Sequence, residues 1–162
     1  MSDKYVLGVN LSHDASAALL RNGDLVCAIA EERLNRAKHC SGGVDGEGFT
    51  HHLLPSLSIN YCLDAAGIKI TEVELIVVSS SVVVGVGDFS TRNLTKDEVM
   101  RQLPDSVAVE RVEVIGHHIG HAASAFYPSG FAEAAVIVAD GGGSLVQRDG
   151  GDGATGWYEE RT

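Results

Sequence analysis

Tyr5-Val6-Leu7-Gly8-Val9-Asn10, Ala15-Ser16-Ala17-Ala18-Leu19-Leu20-Arg21 and Leu25-Val26-Cys27-Ala28-Ile29-Ala30 are three apolar runs separated by short turns. The second turn is Asn22-Gly23, a pair that readily takes positive φ at both central positions of a two-residue hairpin. The first turn, Leu11-Ser12-His13-Asp14, is polar and follows a strand whose Gly8 permits close approach. Three antiparallel strands therefore open the chain.

Working outward, Leu53 to Ala66 has the spacing of an amphipathic helix, with Thr50 as its cap and Gly67 as its stop. Leu75 to Val78 reads as a fourth, buried strand. Thr95 to Leu103 reads as a second helix, with Thr95 and Glu98 forming a capping box and Pro104 ending it. Val107 to Ile115 is a fifth strand, and a third helix follows Gly116. Three strands, helix, strand, helix, strand, helix is an α/β order that resembles a ribonuclease-H-like domain, a mixed sheet with flanking helices. Residues 1–130 make up this first subdomain. Residues 131–162 read as the opening strands of a second, incomplete one, with Ala134 to Ala139 a buried strand and Gly156 to Glu159 pairing back onto it. A lone hairpin is marginal in water, so the chain reads as a fragment, completed by a missing C-terminal part, a partner chain or a homo-oligomer.

His117-His118-Ile119-Gly120-His121 begins the third helix, and Ala122, Ala123 and Ala125 favour its continuation. His117 and His121 are four apart, so they share a face one turn apart, while His118 points elsewhere. An HxxxH spacing alone is as compatible with surface or core histidines as with a metal. Asp140, at the end of the expected 134–139 strand, adds a carboxylate and makes a mixed nitrogen–oxygen site for a divalent ion. Gly141, Gly142 and Gly143 let a phosphate or nucleotide approach the backbone.

In the first turn His13 suits a general acid or base, or a donor to developing negative charge, and Asp14 suits orienting it or holding metal-bound water. Equally, Ser12 and Asp14 can simply stabilise the turn. Arg33, Arg36, Lys38 and His39 make a locally basic block, either an anion site or a solvated face. Ser41 to Thr50, with four glycines, suits a lid or a surface excursion. A zinc site from Cys40 with His39, His51 and His52 matches no standard spacing.

Across the 162 residues, 44% are hydrophobic and 21% charged, ordinary values for a globular chain able to bury a core. A net charge of −10 disfavours nucleic acid as a partner. Without an apolar run of membrane-spanning length or a signal-like start, the expected location is cytoplasmic. Three irregularly spaced cysteines fit reduced thiols rather than a disulfide framework.

Leu7-Gly8-Val9-Asn10 with Ser12-His13-Asp14-Ala15-Ser16-Ala17-Ala18-Leu19-Leu20, Ala30-Glu31-Glu32-Arg33 with Arg36 and Lys38-His39, His117-His118 through Tyr127-Pro128, and Asp140-Gly141 together resemble the NodU/CmcH carbamoyltransferases. That family includes antibiotic O-carbamoyltransferases and nodulation protein U. The resemblance implies a domain of the actin/hexokinase-like ATPase superfold, similar to the tRNA threonylcarbamoyl-transferring proteins. It implies transfer of a carbamoyl group to a hydroxyl of an antibiotic or sugar. The donor is carbamoyl-adenylate, which another domain makes from carbamoyl phosphate and ATP. It further implies a divalent metal, iron in sites of this type, held by His117, His121, Asp140 and a later aspartate. His13 matches the family's catalytic histidine, and Lys38 a basic active-site residue. Gly141-Gly142-Gly143-Ser144 is richer in glycine than the family's usual run. Two alternatives stand beside this reading. One is a kinase or ATPase of the same superfold, against which HxxxH argues. The other is a non-catalytic nucleotide- or metal-binding or assembly subunit.

Overall fold

A computed structural model describes residues 2–12, 14–40, 42, 44–45, 48–49, 53–83, 91–140, 144–149 and 155–159. The three opening strands form as the sequence predicts: β1 (Tyr5–Leu11), β2 (Ser16–Arg21) and β3 (Asp24–Ala30), paired antiparallel in that order. Asn22 and Gly23 take φ of 55° and 93°, so both central hairpin residues are left-handed, as a primed turn requires. The short helix α1 (Glu32–Asn35) and a two-residue ladder of β4 (Val44–Asp45) with β5 (Gly48–Phe49) follow.

Helix α2 (Ser56–Ala66) starts later than the pattern suggests, because Pro55 stands at its entry. Gly67 ends it at φ 67°, as expected. Thr50, the expected cap, lies outside the described residues. The capping group comes from far upstream. Glu31, fully buried at the end of β3, accepts the backbone N–H of Leu57 (3.2 Å) and of Ser58 (2.7 Å), and the Ser58 hydroxyl (2.5 Å). A carboxylate at a helix N-terminus meets open amides and the positive end of the dipole.

Strand β6 (Leu75–Ser80) lies parallel to β1. β7 (Val82–Val83) and β8 (Thr91–Arg92) pair briefly, and α3 (Lys96–Met100) follows, shorter than expected. Its capping box forms as predicted: Glu98 N–H donates to Thr95 Oγ1, and Thr95 N–H to Glu98 Oε2. Glu98 also accepts two bonds from the Arg92 guanidinium, at 2.8 and 2.6 Å. That Arg92 contact holds the Glu98 carboxyl down at about 2 against an ordinary 4.5. A depressed carboxyl stabilises the fold fully above 4.5, and the contribution is lost as pH falls toward 2. Urea titrations across that window are expected to show stability falling in the native chain and a flatter decline in Arg92→Met.

The fifth strand, β9 (Val112–Ile115), is shorter than the predicted 107–115, because Val109–Arg111 forms a 3₁₀ turn. Arg111 ties that turn back by donating to the Thr71 carbonyl at 2.8 Å. Helix α4 (His117–Phe126) comes next. The strand expected at 134–139 is absent: these residues form no regular element and no ladder pairing, and Ile137 is 91% exposed. An apolar run becomes a buried strand only where neighbours cover it, and none of the described residues pairs with this one. Nor does the 156–159 segment pair with it. Instead β11 (Thr155–Glu159) pairs with β10 (Ser144–Asp149), which runs on to β8, giving the sheet order β11-β10-β8-β7.

The main sheet has the order β3-β2-β1-β6-β9. The chain is thus α/β, a five-stranded mixed sheet with helices. Period-two alternation divides the sheet into two unlike faces. Leu7, Val9, Leu11, Ala17, Leu19, Ile76 and Val78 form one buried face, closed by Ile59, Cys62 and Leu63 of α2 and Val99 of α3. Cys62 is fully buried here, and desolvation, then its neighbour Cys27, pushes its thiol up to about 12. Alkylation at pH 8 is expected to spare Cys62 until the chain is unfolded in urea, as peptide mapping would show. The opposite face carries the candidate site.

Candidate functional site

On that second face a patch of small side chains lies beside Val77 and Ile115. Gly8, Ala18 and Ala28 stand abreast across three strands, and beside them run Asn10, Ser16, Ala30 and Ser79. Helix α4 crosses one end. Together they enclose a cavity of about 680 Å³, lined also by Asp14, His117, Gly120, His121 and Ser124. The sequence reading passed over this floor. Its signal was present: next to the cavity, the positions alternating with the core residues of β1 and β2 are Gly8, Asn10, Ser16 and Ala18, with Val6 and Leu20 only at the far end.

At the end of the cavity His117 and His121 meet as their spacing predicts. Their Nε2 atoms are 3.0 Å apart, His117 Nε2 is 3.0 Å from Asp140 Oδ2, and His121 Nε2 is 3.5 Å from the same oxygen. Asp140 reaches them from a segment without regular structure, not from the end of a strand. His118, expected to point away, is buried, with Nε2 3.9 Å from Asp140 Oδ2. His117 is held below its ordinary pKa of 6.5, first by burial and next by His121, with Asp140 opposing. It is therefore neutral at physiological pH and offers a lone pair.

These separations suit a metal. One Nε2–H cannot be donated by His117 to both neighbours at once, whereas a cation satisfies three converging lone pairs together. Bonds of ~2.0–2.2 Å place adjacent ligand atoms ~3.0 Å apart in an octahedron and ~3.4 Å apart in a tetrahedron. The observed 3.0, 3.0 and 3.5 Å fall close to that range, without selecting either geometry. Two imidazoles and one carboxylate leave further positions open to substrate, as a catalytic centre needs.

Asp14 stands elsewhere on the cavity wall. His39 Nδ1 lies 2.9 Å from Asp14 Oδ1, and His39 N–H donates to Glu32 Oε2 at 3.0 Å. The Ala15 amide donates to the Cys40 carbonyl at 2.8 Å, so the 38–40 turn is docked on the 12–15 turn. Asn10 braces that turn from below, donating to Ser12 Oγ and to the Asp14 carbonyl at 3.1 Å each. Lys38 is exposed on the docked turn and does not line the cavity. His13 lies outside the described residues, as do Gly141, Gly142 and Gly143. Cys40 is buried, its Sγ 2.8 Å from the Gly42 carbonyl and 3.1 Å from Asn35 Nδ2. His51 and His52, offered with it as a zinc set, lie outside the described residues. No helix among the described residues is long and apolar enough to cross a membrane.

Comparison with known proteins places residues 5–83 in a match to the family described as carbamoyltransferase N-terminus. The nodulation protein NolNO of Sinorhizobium fredii is 30% identical over 148 residues, covering 83% of this chain and 20% of that protein. An uncharacterized protein of Synechocystis is 32% identical, over 86% of this chain and 26% of its own length. An uncharacterized 19.2 kDa protein of Rhizobium etli is 34% identical over 74 residues, 46% of this chain and 37% of that one. The chain therefore spans about a fifth to a quarter of the first two relatives.

Proposed function

Residues 5–83 of this chain belong to the carbamoyltransferase N-terminus family, and from that premise we propose that the chain is the N-terminal part of an O-carbamoyltransferase. It carries a carbamoyl group from carbamoyl-adenylate to the hydroxyl of a small acceptor of antibiotic or sugar type. The observation that carries this reading is the convergence of His117, His121 and Asp140 on one point at the end of a cavity that Asp14 also lines. The strand order β3-β2-β1-β6-β9, antiparallel in its first three members and parallel after, supports a ribonuclease-H-like fold of the actin-like ATPase type, with residues 1–130 as its first subdomain.

In this reaction the acceptor oxygen bonds to the carbamoyl carbon, the bond from that carbon to the phosphate oxygen breaks, and AMP leaves. The acceptor proton must go to a base. His13 fills that role in this reading, with Asp14, held by His39, orienting it from the same turn. His117, His121 and Asp140 would hold a divalent ion, iron by resemblance. When bound, that ion supplies positive charge where the carbonyl and phosphate oxygens become more negative. The small floor of Gly8, Ala18 and Ala28 leaves room for the adenylate against the sheet, and this reading assigns its phosphate to Gly141, Gly142 and Gly143. Lys38, exposed on the docked turn outside the cavity, is the basic residue that the resemblance assigns to the active site. The chain acts in the cytoplasm, and in this reading the adenylate-forming step belongs to another domain.

Calorimetric titration with a non-hydrolysable carbamoyl-adenylate analogue tests this. Binding is expected with a divalent metal present, and to be lost in His117→Ala and in Asp140→Ala. Metal binding without any analogue binding would instead favour the non-catalytic, assembly reading.

A further inference from the structure

Gly120 sits inside α4, between the two histidines, where glycine costs about 1 kcal/mol relative to alanine. Its φ is not left-handed, so conformational freedom does not explain it. Space does. A Cβ built on Gly120 would lie 3.0 Å from Ser79 Oγ and 3.5 Å from Ser79 Cβ. The first distance is tighter than ordinary packing, and the second is normal contact. Ser79 is on β6, paired with Asn10 on one side and Ile115 on the other, in the row that floors the cavity. Gly120 and Ser79 therefore meet where the histidine helix lies on the sheet.

We propose that Gly120, seated on Ser79, is a positioning residue: it sets the height and tilt of α4 over the sheet, and so the meeting of His117 and His121 with Asp140. The inference deepens the metal-site reading and rests on it for its functional consequence. His117 is three residues before Gly120 and His121 one after it, so all three share the side of the helix that turns toward the cavity. A methyl group at residue 120 has two outcomes. Either the Ser79 hydroxyl rotates away or the helix lifts, and a lift of a few tenths of an ångström acts directly on the His117 to Asp140 separation of 3.0 Å. Metal sites tolerate such errors poorly, because bond lengths vary by only about 0.2 Å.

The test is cobalt(II) binding by the 162-residue chain, followed by its visible spectrum, in the native sequence, Gly120→Ala, Ser79→Ala and the double variant. Gly120→Ala is expected to weaken binding by about 10- to 100-fold, the range for groups that orient ligands, and to alter the ligand-field bands. The double variant, which removes the 3.0 Å contact and keeps the 3.5 Å one, is expected to regain native affinity and spectrum. Folded Gly120→Ala that binds cobalt with native affinity and spectrum overturns the proposal. So does a double variant that stays as weak as the single one. A native chain that binds no cobalt defeats the metal-site reading instead. Imidazole resonances in metal-free chains then judge the positioning role: they should shift in Gly120→Ala and return in the double variant. Unshifted resonances overturn it.

Discussion

Replacing His121 by alanine is expected to strip the chain of bound metal. Elemental analysis of tag-free protein should give near-stoichiometric divalent metal in the native chain and a background level in His121→Ala. The site has three donors among the described residues, and His121 is one of two nitrogens within 3.5 Å of the Asp140 oxygen. Losing one of three ligands costs more than the ~10- to 100-fold typical of groups that only orient ligands. The fold should survive. The His121 side chain is half exposed, and its contacts are with the other site residues, so circular dichroism and the unfolding midpoint should change little. Retention of metal in the variant would mean the histidines are not its ligands.

Replacing Glu31 by alanine is expected to do the opposite, lowering stability while leaving the histidine–aspartate geometry in place. The Glu31 carboxylate receives three hydrogen bonds at the N-terminus of α2, from Leu57 N–H, Ser58 N–H and Ser58 Oγ–H. Both Glu31 and Ser58 are fully buried, so water cannot replace the lost acceptor. Hydrogen bonds to a charged group contribute about 1.5–3 kcal/mol each, and they are not additive. A loss of about 3 kcal/mol is expected, or a fall of about 6–12 °C in Tm for a chain of this size. Glu31→Gln should lie between native and alanine, because an amide keeps one oxygen acceptor but turns its NH₂ toward a donor. Equal stability of Glu31→Ala and native chain by urea denaturation would show that α2 is capped otherwise.

These two residues mark what local sequence can and cannot reveal. The histidine pair was legible because helix geometry brings positions four apart together without help from the rest of the fold. The first three strands were legible because their alternation and the Asn22-Gly23 turn are local. Glu31 as the cap of α2 was not, since donor and acceptor are 26 and 27 residues apart and meet only once β3 packs beside the helix. A local reading looked to Thr50 instead. The 134–139 run was misread for the converse reason. Its composition suits a buried strand, but strand formation needs a partner backbone, and composition cannot say whether one is present. Asp140 was singled out as the carboxylate at the end of that expected strand; the strand is absent, yet Asp140 Oδ2 still lies 3.0 Å from His117 Nε2.

The cavity floor was the largest omission. Gly8 alone suggests close approach, but Ala18 and Ala28 look unremarkable one at a time. They become a surface only through the register Gly8↔Ala18 and Ala18↔Ala28, which sets them side by side. A patch of small residues opposite a face of leucine and valine leaves room for a ligand to lie against this sheet while the other side supplies the core.

The most direct test is X-ray absorption at the metal edge of the iron- or zinc-loaded chain. The account requires two imidazole nitrogens and at least one oxygen at ~2.0–2.2 Å, with the imidazole contribution reduced by one in His117→Ala. A spectrum with oxygen scatterers alone, or one unchanged in His117→Ala, would contradict it.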